Sequence, residues 1–185
     1  MIRETIVTST SPEGRVHIAP MGVREENGRV ILAPFRPSAT LENVLASGYA
    51  TVNLTDDVCV FAGCLTGRRN WPTLTCVRTP CVRLEHALAH RELRLAHAEE
   101  DAQRPRLHMD VVYERSHGPF RGFNRAQGAV LECAILVSRL HMLPAEKIDD
   151  ELKYLEIAIE KTAGPAEREA WSWLLERITA FRAGQ

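Results

Sequence analysis

The chain has 185 residues, 45% apolar and 25% charged, the balance of an ordinary globular protein with room for one domain, or for a compact domain with a small appendage. Its 23 Lys and Arg nearly cancel 24 Asp and Glu, and the formal net charge of -1 gives no bulk field to gather nucleic acid or an anionic membrane. The longest apolar run, residues 129–138 with Glu132 inside it, falls well short of the ~20 residues of a bilayer span.

Residues 1–4 carry an acid and lead into a β-branched segment instead of the apolar core of an export signal. With five cysteines, an odd count, the expected setting is a reducing cytoplasm. Residues 4–9, 16–23 and 29–35 read as three strands joined by two hairpins. Their turns, Ser11-Pro12-Glu13-Gly14 and Glu25-Glu26-Asn27-Gly28, both end in the glycine that positive φ requires. Ser38 or Thr40 is placed to cap a short helix that Gly48 ends, and residues 49–54 alternate as a further strand.

Residues 59–81 carry only weak signals, and no element is assigned there. The composition of residues 83–99 suits a helix, but Leu93 and Leu95 alternate before a turn, and Leu107, Met109, Val111 and Tyr113 alternate after it, which favours a long β-hairpin. From Asn124, a candidate N-cap, the period becomes helical and runs to Met142 before Pro144. Two more helices follow, at about 145–162 and 166–182, separated by Ala163-Gly164-Pro165. This change of period divides the chain into a strand-rich part, residues 1–121, and a helical part, residues 122–185.

The segment Arg36-Pro37-Ser38-Ala39-Thr40 opens a helix with a guanidinium, two hydroxyls and unpaired amides, the parts of an anion site. A plain capped helix beside a solvated arginine is the other reading. Arg121-Gly122-Phe123-Asn124-Arg125 repeats the arrangement, with an arginine at the helix end that prefers anions; pairing with Glu132 would also explain it. Cys59-x4-Cys64 and Cys76-x4-Cys81, with Cys133 far away, are spaced too widely for ordinary zinc knuckles and read as buried reduced thiols. His86 and His90 would pair on a helix but merely share a face of a strand. No G-x-S-x-G elbow or phosphate loop is present, so neither a serine hydrolase nor a P-loop nucleotidase is indicated.

Several segments together, Glu4-Thr5-Ile6-Val7-Thr8-Ser9, Val16-His17-Ile18-Ala19-Pro20-Met21-Gly22-Val23, Ala33-Pro34-Phe35 with Thr40 and Asn43, Val52-Asn53-Leu54-Thr55-Asp56-Asp57 and Gly122-Phe123-Asn124-Arg125-Ala126, resemble the DUF447 family, which is similar to the FMN-binding split-barrel flavoproteins. The resemblance spans nearly the whole chain. It implies an α+β, mainly β fold: a six-stranded split barrel followed by about three helices packing on the barrel or a dimer seam. It further implies a homodimer with FMN in the cleft between subunits. The wider superfamily includes flavin reductases, pyridoxamine phosphate oxidases and plain FMN-binding proteins, so the fold does not fix the reaction.

Carried onto this chain, the resemblance assigns Arg36, Ser38, Thr40 and Asn43 to the FMN phosphate and ribityl. Thr8, His17, Ala19, Met21 and Gly22 fall along the ring, with Asn53, Thr55 and Asp56 at its polar edge, and Asn124 and Arg125 complete the pocket. The phosphate segment lacks the lysine usual in pyridoxamine phosphate oxidases, which weakens a vitamin B6 reading. The expected function is therefore an FMN-binding oxidoreductase acting on a small substrate, with no catalytic acid or base singled out and no metal ligand assigned. A non-catalytic flavin or electron-transfer module is the alternative, and a structural zinc/cysteine protein a further one.

Overall fold

A computed structural model describes residues 1–184. Strand β1 (Ile2–Thr10) pairs along its whole length with β2 (Val16–Glu26), which turns back into β3 (Arg29–Leu32). The second turn is a two-residue loop in which both Asn27 (φ 52°) and Gly28 (φ 76°) are left-handed, the geometry that matches the twist of a hairpin. Helix α1 (Ala39–Ser47) follows, capped by Ser38 and ended by Gly48 at φ 80°, with the Gly48 amide returned to the Val44 carbonyl (2.8 Å). Strand β4 (Tyr49–Leu54) occupies the residues its alternation predicts.

Helix α2 (Val58–Leu65) and the short strand β5 (Thr73–Thr75) occupy the region in which no element is assigned from sequence, and the short strand β6 (Val82–Leu84) takes the start of the segment expected to belong to the long hairpin. All three are hard to read in sequence. The α2 residues Val58 to Gly63 are all buried, so the helix has no polar stripe to set its period, and three-residue strands are too short to alternate. Strands β7 (Ala89–Glu99) and β8 (Arg106–Ser116) form the long hairpin, and the helical alternative for residues 83–99 does not occur.

Hydrogen bonding closes the six long strands into a barrel in the order β1-β2-β3-β8-β7-β4, and β5 and β6 make a separate two-stranded sheet. Val7, Val30, Leu32, Val52, Leu93, Leu107 and Met109 fill the barrel, joined by Leu41 and Val44 from α1. This expected six-stranded barrel, together with residues 71–88, makes up one unit, Met1–Thr55 plus Trp71–Phe120.

The second unit takes in Asp56–Asn70 as well as the chain from Arg121 onward, so α2 belongs with the C-terminal helices although it lies inside the first 121 residues. Helix α3 (Arg125–Ser138) contacts α2, α4 (Ala145–Thr162) and α5 (Pro165–Arg182). It ends four residues short of Met142: Arg139 leaves helical geometry at φ -122°, and turns lead to Pro144. Pro165, expected to stop α4, also starts α5 at a position where its missing N–H costs nothing. Among the described residues no helix is long and apolar enough to cross a membrane.

One buried acid anchors the β5–β6 region to the barrel. Glu92 on β7, fully buried, accepts the amides of Val77 (2.7 Å), Arg78 (2.7 Å) and Thr79 (2.8 Å) and the Thr79 hydroxyl (3.1 Å). Burial opposes its charge, but the Val77 and Arg78 amides, with His90 and Thr79, outweigh it and hold the pKa below the usual glutamate value. Glu92→Gln would place an amide donor against this row of donors. It is expected to cost about 2–4 kcal/mol of folding stability, read as a lower urea midpoint with unchanged slope.

Candidate functional site

A cleft of about 460 Å³ opens on the barrel unit, within the size range of small-molecule sites. One wall is β2, through His17, Ala19, Pro20, Met21 and Gly22; the facing wall is the connection from Ala33 to Pro37; the floor is the start of α1, with Ser38, Ala39 and Thr40; Arg104 closes the edge.

The α1 terminus is the polar end of this cleft. Ser38 Oγ accepts the Leu41 amide (3.4 Å), and the Ser38 carbonyl accepts that of Glu42 (3.1 Å). The Ala39 and Thr40 amides have no acceptor among the described residues. They carry the positive end of the helix dipole into the cleft. Arg104 stands beside them. Its Nε donates to the Ala33 carbonyl (2.8 Å) and its guanidinium lies over the Phe35 ring at 4.7 Å, leaving both Nη groups without an acceptor among the described residues.

Arg36 has a different place. It is exposed and absent from the cleft lining; its Nη2 donates to Glu100 (2.7 Å), its Nε to the Asp101 carbonyl (3.3 Å), and its amide to the Gln103 carbonyl (2.9 Å). The side chain holds the β7–β8 turn. Asp101 accepts the Arg104 (2.7 Å) and Gln103 (2.9 Å) amides, which lower its pKa, and so sets the direction in which Arg104 leaves the turn. Sequence reading missed Arg104 because it lies in a hairpin turn 66 residues beyond Ser38, and only the β3–β8 pairing brings it to α1.

Of the other expected residues, His17, Ala19, Met21, Gly22, Ser38 and Thr40 line the cleft. Gly22 faces Glu4 of β1, and a Cβ there would meet Ile2 Cγ2 at 2.8 Å, so its lack of a side chain accommodates the neighbouring strand. Asn43 is buried and donates to Ser9 Oγ (3.0 Å). Thr8 and Asn53 are fully buried and tie β6 to the barrel: Thr8 Oγ1 donates to the Val82 carbonyl, Asn53 Nδ2 to the Ile6 carbonyl (3.1 Å), and Asn53 Oδ1 accepts the Leu84 amide (2.7 Å). Thr55 ends the first part of the barrel unit, whereas Asp56 lies in the helical unit.

Asn124 and Arg125 also lie in the helical unit. Asn124 Oδ1 caps α3 through the Ala126 amide (2.7 Å), and Nδ2 donates to the Thr162 carbonyl at the end of α4 (3.1 Å); Arg125 is exposed on the first turn. Cys59, Cys81 and Cys133 offer no nucleophile. Burial pushes Cys59 and Cys133 up to about 12 and Cys81 up to about 11.

A closed six-stranded barrel with a helix terminus opening on a lateral cleft defines the split-barrel class. Within it, the chain belongs to the DUF447 family: the N-terminal domain model of this family, described as a protein of unknown function, matches residues 3–118, and its C-terminal model matches residues 124–176. Among solved structures, an FMN-bound DUF447 protein of Methanosarcina mazei superposes with a TM-score of 0.82 at 20% identity, covering 95% of this chain and 94% of that one. The 2-nitrobenzoate 2-nitroreductase of Pseudomonas fluorescens matches with a TM-score of 0.53 at 17% identity, over 62% of this chain and 64% of its own. Flavoredoxin from Methanosarcina acetivorans has the same TM-score at 12% identity, over 63% and 69%. No curated protein matches the chain in sequence.

Ser38→Ala removes the α1 cap and should lower folding stability by about 1 kcal/mol. Chemical denaturation checks the value, and an unchanged midpoint would show that the Ser38 side chain is not a working cap.

Proposed function

We propose that this protein is an FMN-binding flavoprotein acting as an oxidoreductase on a small substrate. The observation that carries the reading is the meeting, in one cleft, of the unpaired Ala39 and Thr40 amides with the unpaired Nη groups of Arg104. This is a donor set for a phosphate dianion, combining helix-dipole stabilisation with a guanidinium fork. The FMN carried by the M. mazei relative supports the choice of ligand.

In this reading Ser38 and Thr40 frame the phosphate, while His17, Ala19, Met21 and Gly22 lie along the ring. Arg36 acts indirectly, by holding the turn that presents Arg104. FMN, when bound, supplies the two-electron chemistry; the chain binds it, orients it and sets its electrostatic surroundings. The lining contains no carboxylate and no cysteine among the described residues, and a flavin hydride transfer requires neither. A second copy of the chain completes the cleft at the Phe35 rim, where that ring is 63% exposed.

Addition of FMN followed by gel filtration should leave a yellow, dimeric protein; a colourless folded dimer would overturn the reading. Reduction of the bound flavin by NADH or NADPH would support turnover, and its failure would leave a carrier or electron-transfer module. Arg104→Ala should weaken FMN binding by about 1.5–3 kcal/mol, roughly tenfold to a hundredfold, with little effect on riboflavin, which lacks the phosphate. Equal losses for both ligands would remove Arg104 from the phosphate site.

A further inference from the structure

Beneath the β5–β6 sheet, and apart from the flavin cleft, lies a cluster that the proposed function does not use. Cys76 Sγ, one ring nitrogen of His90 and one oxygen of Glu92 all lie within 4.8 Å of one another, with His90 and Glu92 buried. We propose that Cys76, His90 and Glu92 bind a divalent first-row transition ion of the zinc type. His90 and Glu92 share one face of β7 by their i,i+2 spacing, and Cys76 is brought over them just after β5, so no knuckle spacing announces the site.

The internal distances suit a shared ion. His90 Nε2 and Glu92 Oε1 are 3.4 Å apart, at the long end of hydrogen-bond distances. Two ligands on one tetrahedral zinc, with bonds of about 2.1 Å, sit about 3.4 Å apart. Glu92 Oε2 is saturated by the Arg78 and Thr79 amides and the Thr79 hydroxyl, whereas Oε1 accepts only the Val77 amide besides its long contact with His90. The oxygen with spare lone-pair capacity is therefore the one that faces His90.

The surrounding groups are those that orient metal ligands. His90 Nδ1 meets His117 Nε2 at 2.8 Å, so His117 can accept the Nδ1–H that must be present when Nε2 binds a metal. The Thr51 hydroxyl lies 3.2 Å from Cys76 Sγ, placed to donate to a thiolate. Charge balance points the same way: a thiolate and a carboxylate neutralise a dication around a neutral imidazole, and the thiol proton leaves to solvent as the ion enters. One sulfur, one nitrogen and one carboxylate oxygen suit zinc over calcium or magnesium. Three protein ligands leave the fourth position to water.

The test uses the full chain without a histidine tag, freed of metal by a chelator and titrated with Co²⁺. One equivalent should produce the visible bands of four-coordinate cobalt, at longer wavelength than oxidised flavin, together with sulfur-to-cobalt charge transfer, and Zn²⁺ should abolish both. Cys76→Ser should remove the charge-transfer band and weaken binding by at least about tenfold, and His117→Ala should weaken it by about 10- to 100-fold. Cys133→Ser, altering a thiol buried on α3, should leave the titration unchanged. Should Cys76→Ser fail to fold, zinc protection of Cys76 against alkylation in the wild-type chain, read by peptide mass spectrometry, replaces it. Absence of a saturable cobalt spectrum, a spectrum unaltered in Cys76→Ser, or equal alkylation with and without zinc would overturn the proposal.

Discussion

The direction of one short helix governs the cleft. Leu41 and Val44 of α1 are buried in the barrel core with Val7, Val52 and Leu93, and this apolar anchorage fixes which way the helix axis runs. Each such side chain contributes about 1.5–3 kcal/mol by leaving water, more than a solvated ion pair supplies. The amides of Ala39 and Thr40 open on the cleft because the residues one turn further on cannot leave the core. Ser38 and Gly48 then set the limits of the helix, one by a side-chain oxygen and the other by a left-handed backbone.

A second constraint acts through the β7–β8 turn. Individually the contacts from Arg36 to Glu100, Asp101 and Gln103 are surface contacts of small value. Together with the Asp101 cap they give the turn a single shape, from which Arg104 reaches back to the Ala33 carbonyl and the Phe35 ring. Arg36 and Arg104 thus have separate places that the sequence does not distinguish: Arg36 secures the loop and Arg104 faces the cleft.

Those features legible in the sequence were encoded locally. Asn27-Gly28 signals its turn by backbone conformation, Ser38 and Gly48 delimit α1 by capping chemistry, and residues 49–54 show their strand by alternation. The capped start of α1, with its two unpaired amides, follows from the same local chemistry, and the family resemblance supplied the barrel. What could not be read depends on partners far along the chain. Asn53 and Thr8 look like polar pocket residues, yet their bonds are spent on the Leu84 and Val82 backbone. Arg104 reaches its neighbours through the β3–β8 pairing, His117 meets His90 through the β7–β8 pairing, Glu92 takes its amides from residues 77–79 on a separate segment, and α2 hides its period by being apolar all round.

The interleaving of the two units has a consequence for synthesis of the chain. Helix α2 emerges from the ribosome between β4 and β5, but the helices it packs against, α3 and α5, lie beyond residue 120. Val58, Val60 and Phe61, buried in the finished protein, must therefore wait in the nascent polypeptide while two-thirds of the chain is made. A fragment ending at Phe120 would carry that apolar helix permanently without its partners. The C-terminal helices thus complete an element encoded in the first half of the molecule, and the two halves of the sequence are not separable folding cargoes.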